Sequence, residues 1–563
     1  MRSRIGKIVA TLAAPLFVCN VAVALARQQP VTSPAQVPSS AQAAPCSAPL
    51  AAGNGAPQWD GWGADLSEDR FQPAAMAQLD AANVPRLRLK WAFGFAGVTR
   101  AYGQPTVFGG RVFVGSADRH VYALEARTGC VAWTFDAGFP VRTAIEVGRL
   151  GDRWAAYFGD QNGSAYAVDA SSGTLIWKTR VDAHPAAIVT GAPVLADGKL
   201  YVPMSSQEEV MATDPNYPCC TFRGSVSALD AATGKVVWKT YTIERAPGPR
   251  GTNKHGVTQS APSGAAIWSA PTIDLAHRTL YVGTGDSFSD RAAETSDAIL
   301  ALNMDTGKLL WSRQMTANDA ENIACDLPSP YDANCPAANG PDFDFGSSPI
   351  LVTLPGGGRV LIAGQKSGIV YAIDPDRQGA LLWQRRVGRG SKLGGVQWGS
   401  AADRSAVYVA VSDVHITPVA PGTAGSQPGL GASLLLDPNA GGGLFALDIR
   451  TGAILWHTPH PGCNAKPGCS PAQSAAVTAI PGVVFSGGVD GHLRAYSATS
   501  GSIIWDVDTE RDYATVNSVK AGGGSMDGPG PSVAGGMLYV NSGYSLFGSA
   551  PGNVLLAFSV DGT

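Results

Sequence analysis

From Trp59 onward the chain alternates apolar and polar residues in short runs, broken every few positions by glycine, asparagine or aspartate. The runs "RVFVGS" (111–116), "HVYALEA" (120–126) and "CVAWTF" (130–135) each carry the two-residue period of a half-buried strand, with turn residues between them. The same triplet returns all along the chain. The pattern therefore predicts an all-β fold made of one antiparallel unit used repeatedly.

Each unit ends on a phrase of one form: "LEARTGCVAW" at Trp133, "VDASSGTLIW" at Trp177, "LDAATGKVVW" at Trp238, "LNMDTGKLLW" at Trp311, "LDIRTGAILW" at Trp456 and "YSATSGSIIW" at Trp505. A looser copy, "IDPDRQGALLW", ends at Trp383. The carboxyl or amide side chain caps a tight turn, the glycine supplies the positive φ that the turn needs, and the tryptophan is expected to lie across a neighbouring sheet. A four-stranded unit cannot cover both its faces alone, so it must pack on copies of itself, and radial packing of such units gives a β-propeller.

The tryptophans also count the blades. Trp91 in "LRLKWAF" adds one more, whereas the last strand, "NVLLAFSV" (553–560), has no tryptophan after it. Pairing of the N- and C-terminal strands in a shared blade then closes an eight-bladed ring. Between Trp177 and Trp456 the tryptophans lie farther apart than the ~40–45 residues of a minimal blade. Long loops, and with them the function, are thus expected between about Pro193 and His460.

Composition narrows the function. A chain of 563 residues is too long for one compact core unless that core is a stack of modules, which the repeats provide. Charged residues are 15% of the chain and the net charge is −3, so no basic surface exists for a nucleic acid. At the N-terminus Arg2, Arg4 and Lys7 precede an apolar run from Ile8 to Val23 and then Ala24-Leu25-Ala26. This is the form of a signal peptide cleaved after Ala26, which implies a periplasmic protein. The run is short and interrupted by Pro15 and Asn20, and no later run is long enough to span a bilayer. Val18 before Cys19 is bulkier than a lipid-attachment site tolerates. Residues 27–56, rich in Pro, Ala, Gln and Ser, are expected to be a disordered leader, and 57–563 the propeller.

Cleavage leaves eight of nine cysteines, an even number that favours disulfides in an exported chain. Cys325/Cys335 and Cys463/Cys469 are close enough to staple single loops. Cys219 and Cys220 are adjacent, so a bond between them needs a strained eight-membered ring. Cys46 and Cys130 then pair by elimination. No Cys-x-x-Cys-His occurs, which excludes a covalently held c-type haem in this chain.

The repeated Asp-x-x-Thr-Gly-x-x-x-Trp phrase, with the opening "WGADLSEDRFQPAAMAQLDAANVPRLRLKWAF" (62–93), resembles the quinoprotein alcohol dehydrogenase family from Trp59 to the C-terminus. Within that family the details look most like polyvinyl alcohol dehydrogenases. The resemblance implies an eight-bladed propeller with tryptophan-docking motifs, holding pyrroloquinoline quinone (PQQ) and Ca²⁺ on its axis. PQQ is a flat tricarboxylate o-quinone, so it needs a planar platform, cations for its carboxylates and a hard cation with oxygen ligands.

The resemblance assigns residues to each need. "SSQEEV" (205–210) matches the segment with a metal-binding glutamate, best at Glu209 with Glu208 as the alternative. "GAAIWSAPTID" (264–274) makes Trp268 the platform. "YVGTGDS" (281–287) places Asp286 where relatives have an asparagine ligand. "GPDFDFGSSPILV" (340–352) puts the catalytic base at Asp344, which also faces the metal, with Asp342 second and Asp319 third. "IAGQKSGIVYAID" (362–374) gives Lys366, and "LGGVQWGSAA" (393–402) adds Gln397 and Trp398. The vicinal disulfide that covers PQQ in many relatives is missing from "VRTAIEV" (141–147), so Cys219-Cys220 is the candidate roof and Arg142 a candidate contact for a PQQ carboxylate.

The implied activity is oxidation of secondary alcohols, polymeric or small, to ketones, with a separate cytochrome c as electron acceptor. A non-catalytic propeller of the outer-membrane assembly type and a quinoprotein sugar dehydrogenase are the alternatives.

Overall fold

In the computed structural model, which describes residues 46, 49–51, 55–420, 422–428, 433–463, 466 and 468–562, the repeats form eight antiparallel sheets. We number them as blades in chain order. Blades 1 to 7 cover residues 106–136, 146–180, 194–241, 272–314, 350–386, 401–459 and 478–508. Blade 8 combines the C-terminal residues 532–559 with the strand Arg88–Gly94, whose outer position pairs Ala92 with Leu556 and Phe93 with Leu555. The ring is closed by its two chain ends, as the tryptophan spacing predicts.

Each docking tryptophan lands on the next blade. Except at Trp311, its Nε1–H donates to a carbonyl there: Trp91 to Ala126, Trp133 to Ala170, Trp177 to Ala231, Trp238 to Met304, Trp383 to Ile449 and Trp456 to Ala498, at 2.9 to 3.0 Å. Trp505 reaches Leu87 at 3.3 Å, at the entry to the strand that completes blade 8. Except for Trp505, each indole, that of Trp311 included, packs against the turn glycine of that next blade. That glycine therefore answers two constraints, a positive φ and a close approach. At Gly234, φ is +69° and a Cβ would sit 2.6 Å from Cδ2 of Trp177. Gly234→Ala is expected to cost about 1–3 kcal/mol, read as a lower midpoint of chemical denaturation, because the clash is with a rigid ring.

The segment before the first full blade does more than lead into it. Residues 59–72 run as a strap across one end of the axis, hydrogen-bonded to one inner strand after another. Trp59 pairs with Val107, the Asp60 carboxylate accepts from Val147 N, and Leu66, Ser67, Asp69 and Arg70 carbonyls accept from Ile273, Leu351, Ala402 and Ala479. Gln72 donates to Val533 O at 2.7 Å. Arg70, fully buried, stacks between Trp59 and Trp62 and donates to Val477 O and Thr478 Oγ1.

Under the strap the carboxyl groups of Asp60, Glu68 and Glu146 share one buried region. Burial pushes Asp60 up to about 7, and burial first, then neighbouring carboxylates, hold Glu146 well above the carboxylate range. Such groups keep their protons in the folded state, so the stability they confer is fully present below pH 4 and is lost as pH rises through about 7. Asp60→Asn retains the oxygen that accepts from Val147 and removes the ionisation. The expected outcome is a thermal midpoint that falls less between pH 5 and pH 8 than that of the wild type.

The expected signal peptide (1–26) and most of the expected leader (27–56) lie outside the described residues. Within 27–56, Cys46 is bonded to Cys130 and Leu50 and Ala51 lie against Gly109 of blade 1, so this part of the leader is tied to the propeller. Cys325–Cys335 and Cys463–Cys469 each close one loop. Among the described residues no helix is long and apolar enough to cross a membrane.

Candidate functional site

At one end of the axis, two kinds of connection meet: those that lead from blade to blade, and those between the second and third strands of a blade. They bring together Glu209 of blade 3, Asp286 of blade 4, Asp342 and Asp344 on the way into blade 5, and Lys366 of blade 5. The oxygen atoms of Asp286, Asp342 and Asp344 come within 4.8 Å of one another.

Local sequence explains the approach. Asp344 Oδ1 accepts from the Asp286 N–H at 2.7 Å, which is feasible because Gly285 has no side chain, since a Cβ there would lie 2.8 Å from that oxygen. Asp344 Oδ2 accepts from Trp268 Nε1 at 3.1 Å and from Lys366 Nζ at 2.9 Å. The same ammonium donates to Asp342 Oδ1 at 2.8 Å, and the Lys366 N–H donates to Asp344 O. Asp319 stands behind: its carboxylate accepts from the N–H groups of Asp342 and Phe343 and holds their turn.

Electrostatics here are severe. Besides these four carboxyl groups, those of Asp297, Asp319 and Glu321 lie within electrostatic reach of the Lys366 ammonium. Burial, followed by Asp344, pushes Glu209 up to about 8; burial, then Asp344 and Asp342, hold Asp286 well above the carboxylate range. Burial alone would depress Lys366, yet Asp342 and Asp344 outweigh it and keep the ammonium charged. A cluster of this kind does not ionise fully without a further cation, and its donors are all oxygen, the set a hard cation takes.

The indoles form the other half of the site. Lys366 Nζ is 5.4 Å from the Trp268 ring centre, and Gly346 packs directly against the six-membered part of that ring. Trp398 stands at 81° to Trp268 with ring centres 5.3 Å apart. The Arg142 guanidinium lies 4.7 Å over Trp398 and 5.8 Å from Tyr544. Arg142 makes no hydrogen bond or ion pair with the described residues, so its donors are free for an anion. Tyr102, Arg142, Trp268, Gly346, Trp398 and Gly528 line one cavity on the axis. The site is thus bipolar, with carboxylates and an ammonium at one end, a guanidinium at the other and two indoles between. An elongated planar polyanion with a hard cation at one end fits these residues.

Glu208, the alternative to Glu209, has another task. It is fully buried and accepts from Tyr217 OH and from the N–H groups of Thr221 and Phe222, which anchors the loop carrying the vicinal cysteines. Cys219 and Cys220 are bonded to each other, but both are buried in the apolar cluster of Val189, Met204, Phe222 and Ala266. Neither lines the cavity between Trp268 and Trp398. Gln397 is buried beside the cavity with its Oε1 unpaired.

Sequence reasoning gave Asp342 only a secondary place, because the family pattern has one aspartate there; its left-handed φ of 56°, in a turn held by Asp319, is what brings its carboxyl beside that of Asp344. Tyr102, Tyr544 and Asp527 lie outside the stretch 193–460 and carried no signal.

Residues 59–331 match the family model described as the glucose/ethanol/alcohol dehydrogenase β-propeller domain, and residues 366–521 and 440–563 match that of outer membrane protein assembly factor BamB. A polyvinylalcohol dehydrogenase from Pseudomonas sp is 46% identical over 522 residues, covering 90% of this chain and 77% of the relative. One from Sphingopyxis sp. (strain 113P3) is 43% identical over 539 residues, covering 92% and 78%. The crystal structure of the quinohemoprotein alcohol dehydrogenase from Comamonas testosteroni superimposes with a TM-score of 0.65 at 20% identity, covering 90% of this chain and 81% of the other.

Proposed function

The chain belongs to the PQQ-dependent alcohol dehydrogenase family, and from that premise we propose that it is a periplasmic, calcium-dependent enzyme that oxidises secondary alcohols, polyvinyl alcohol among them, to ketones. The observation that carries this reading is the bipolar cavity: a carboxylate cluster around Lys366 at one end, the unpaired Arg142 at the other, and Trp268 between them.

Glu209, Asp286 and Asp344 would hold the cation, with Asp342 as a fourth carboxylate beside them. Trp268 would be the platform for PQQ, and Arg142 would meet one of its carboxylates. When bound, PQQ supplies the two-electron acceptor and the cation polarises it. Asp344 holds the position of a general base: its Oδ2 is turned to the platform by Trp268 and Lys366, and it would receive the hydroxyl proton of the alcohol. Lys366 donates to both Asp342 and Asp344 and so holds the two carboxyl groups beside the platform.

Conversion of an alcohol to a ketone releases two electrons and two protons, so a separate one-electron carrier must take the electrons in turn, and a cytochrome c is the acceptor proposed. The test is alcohol-dependent reduction of a redox dye by purified protein supplied with PQQ and Ca²⁺. Turnover with secondary alcohols and with polyvinyl alcohol is expected; oxidation of aldoses alone would favour a sugar dehydrogenase, and absence of any turnover would favour a non-catalytic propeller.

A further inference from the structure

Both indoles at the axis are mounted in the same way. Trp268 gives its Nε1–H to Asp344 and has Lys366 over its ring; Trp398 gives its Nε1–H to Asp527 at 2.5 Å and has Arg142 over its ring. Asp344 has a place in the chemistry above. Asp527 has none.

We propose that Asp527 is a positioning residue for the cofactor: it fixes the Trp398 indole upright against Trp268, and through that indole it fixes Arg142. The inference rests on the PQQ reading. Asp527 is 9% exposed, and its Oδ1 takes a second hydrogen bond from Ser474 Oγ at 2.7 Å, which sets the carboxylate plane. Its backbone is held too, because the next residue, Gly528, has a φ of +132° that favours glycine and gives its carbonyl to Ala476 N. Trp398 is thereby gripped at its polar edge by a group that is itself held at three points.

Arg142 depends on this grip. Its guanidinium has no hydrogen bond or ion pair among the described residues; it lies over the rings of Trp398 and Tyr544, within electrostatic reach of Asp527. Of the two rings, that of Tyr544 is the more distant, at 5.8 Å against 4.7 Å for Trp398. Release of the Trp398 N–H would let the indole tilt toward the Trp268 platform and withdraw the surface on which Arg142 lies. One aspartate, touching no ligand, would then govern both the set of the Trp398 indole against the platform and the aim of the Arg142 cation.

The experiment compares Asp527→Leu, Asp527→Asn and Trp398→Phe by intrinsic tryptophan emission of the PQQ-free protein and by PQQ titration in the presence of Ca²⁺. Asp527→Asn retains an oxygen that accepts from both Trp398 and Ser474, so its emission and its Kd are expected within threefold of the wild type. Asp527→Leu is expected to shift the emission and raise the Kd for PQQ roughly ten- to a hundredfold, the loss of one charge-assisted bond with its dependants. Trp398→Phe, which lacks the N–H, should raise the Kd comparably, and the double variant Asp527→Leu/Trp398→Phe should add little to either.

Additive effects in the double variant, an unchanged Kd in Asp527→Leu, or failure of Asp527→Asn to restore it would overturn the proposal. Absence of PQQ binding by the wild type would instead overturn the cofactor reading.

Discussion

Asp344→Asn is expected to lower kcat by roughly 10²- to 10⁴-fold, the range contributed by a well-placed general base. The geometry makes this the most damaging single change in the site. Asp344 is the carboxylate that contacts the platform, the ammonium and the neighbouring aspartate's backbone together, through Trp268 Nε1, Lys366 Nζ and Asp286 N. An amide in its place offers one acceptor, not two, and presents an NH₂ to donors already pointing at it. It also has no basic oxygen to take the hydroxyl proton. Assays at saturating PQQ and Ca²⁺ separate the chemical loss from weaker cation binding. Asp342→Asn leaves that base in place, so it should lower kcat far less.

Lys366→Met should act mainly on stability. Its removal strands Asp342 and Asp344 beside Asp286, all against the same interior, and breaking a buried ion pair from one side costs about 3–5 kcal/mol. A bound divalent cation supplies positive charge to the same carboxylates, so added Ca²⁺ is expected to recover much of the lost thermal midpoint in the variant. Activity should stay low at any Ca²⁺ concentration, because the ammonium also orients Asp344 Oδ2. Equal loss of stability with and without Ca²⁺ would show that the cation is not held by these residues.

The ring was legible in the sequence because its rule is local. Every docking phrase carries its own turn glycine and its own tryptophan, so blade number and terminal closure follow from spacing alone. The strap of residues 59–72 was not legible. Its partners are carbonyl and N–H groups of strands spread over almost the whole chain, and backbone partners leave no mark on residue type. The acidic pole was legible through Glu209, Asp286, Asp344 and Lys366, which stand in motifs at strand ends. Asp342 entered the cluster because its turn is set by Asp319, a long-range effect. Asp527 and Tyr544 were hidden for the same reason: they meet Trp398 and Arg142 only after the ring closes.

The fate of the vicinal cysteines is instructive. A bond between Cys219 and Cys220 was readable from adjacency, but its place was not. Glu208 holds the loop through three donors, and the pair packs in the apolar cluster with Phe222 and Ala266.

All of this depends on the acidic pole and the indole slot serving one ligand pair. Titration of PQQ into metal-free protein, with and without Ca²⁺, tests it most directly. The account predicts one PQQ per chain, binding that needs Ca²⁺, quenching of tryptophan emission, and loss of binding in Trp268→Ala and in Asp286→Ala. Binding that ignores Ca²⁺ and survives both substitutions would contradict it.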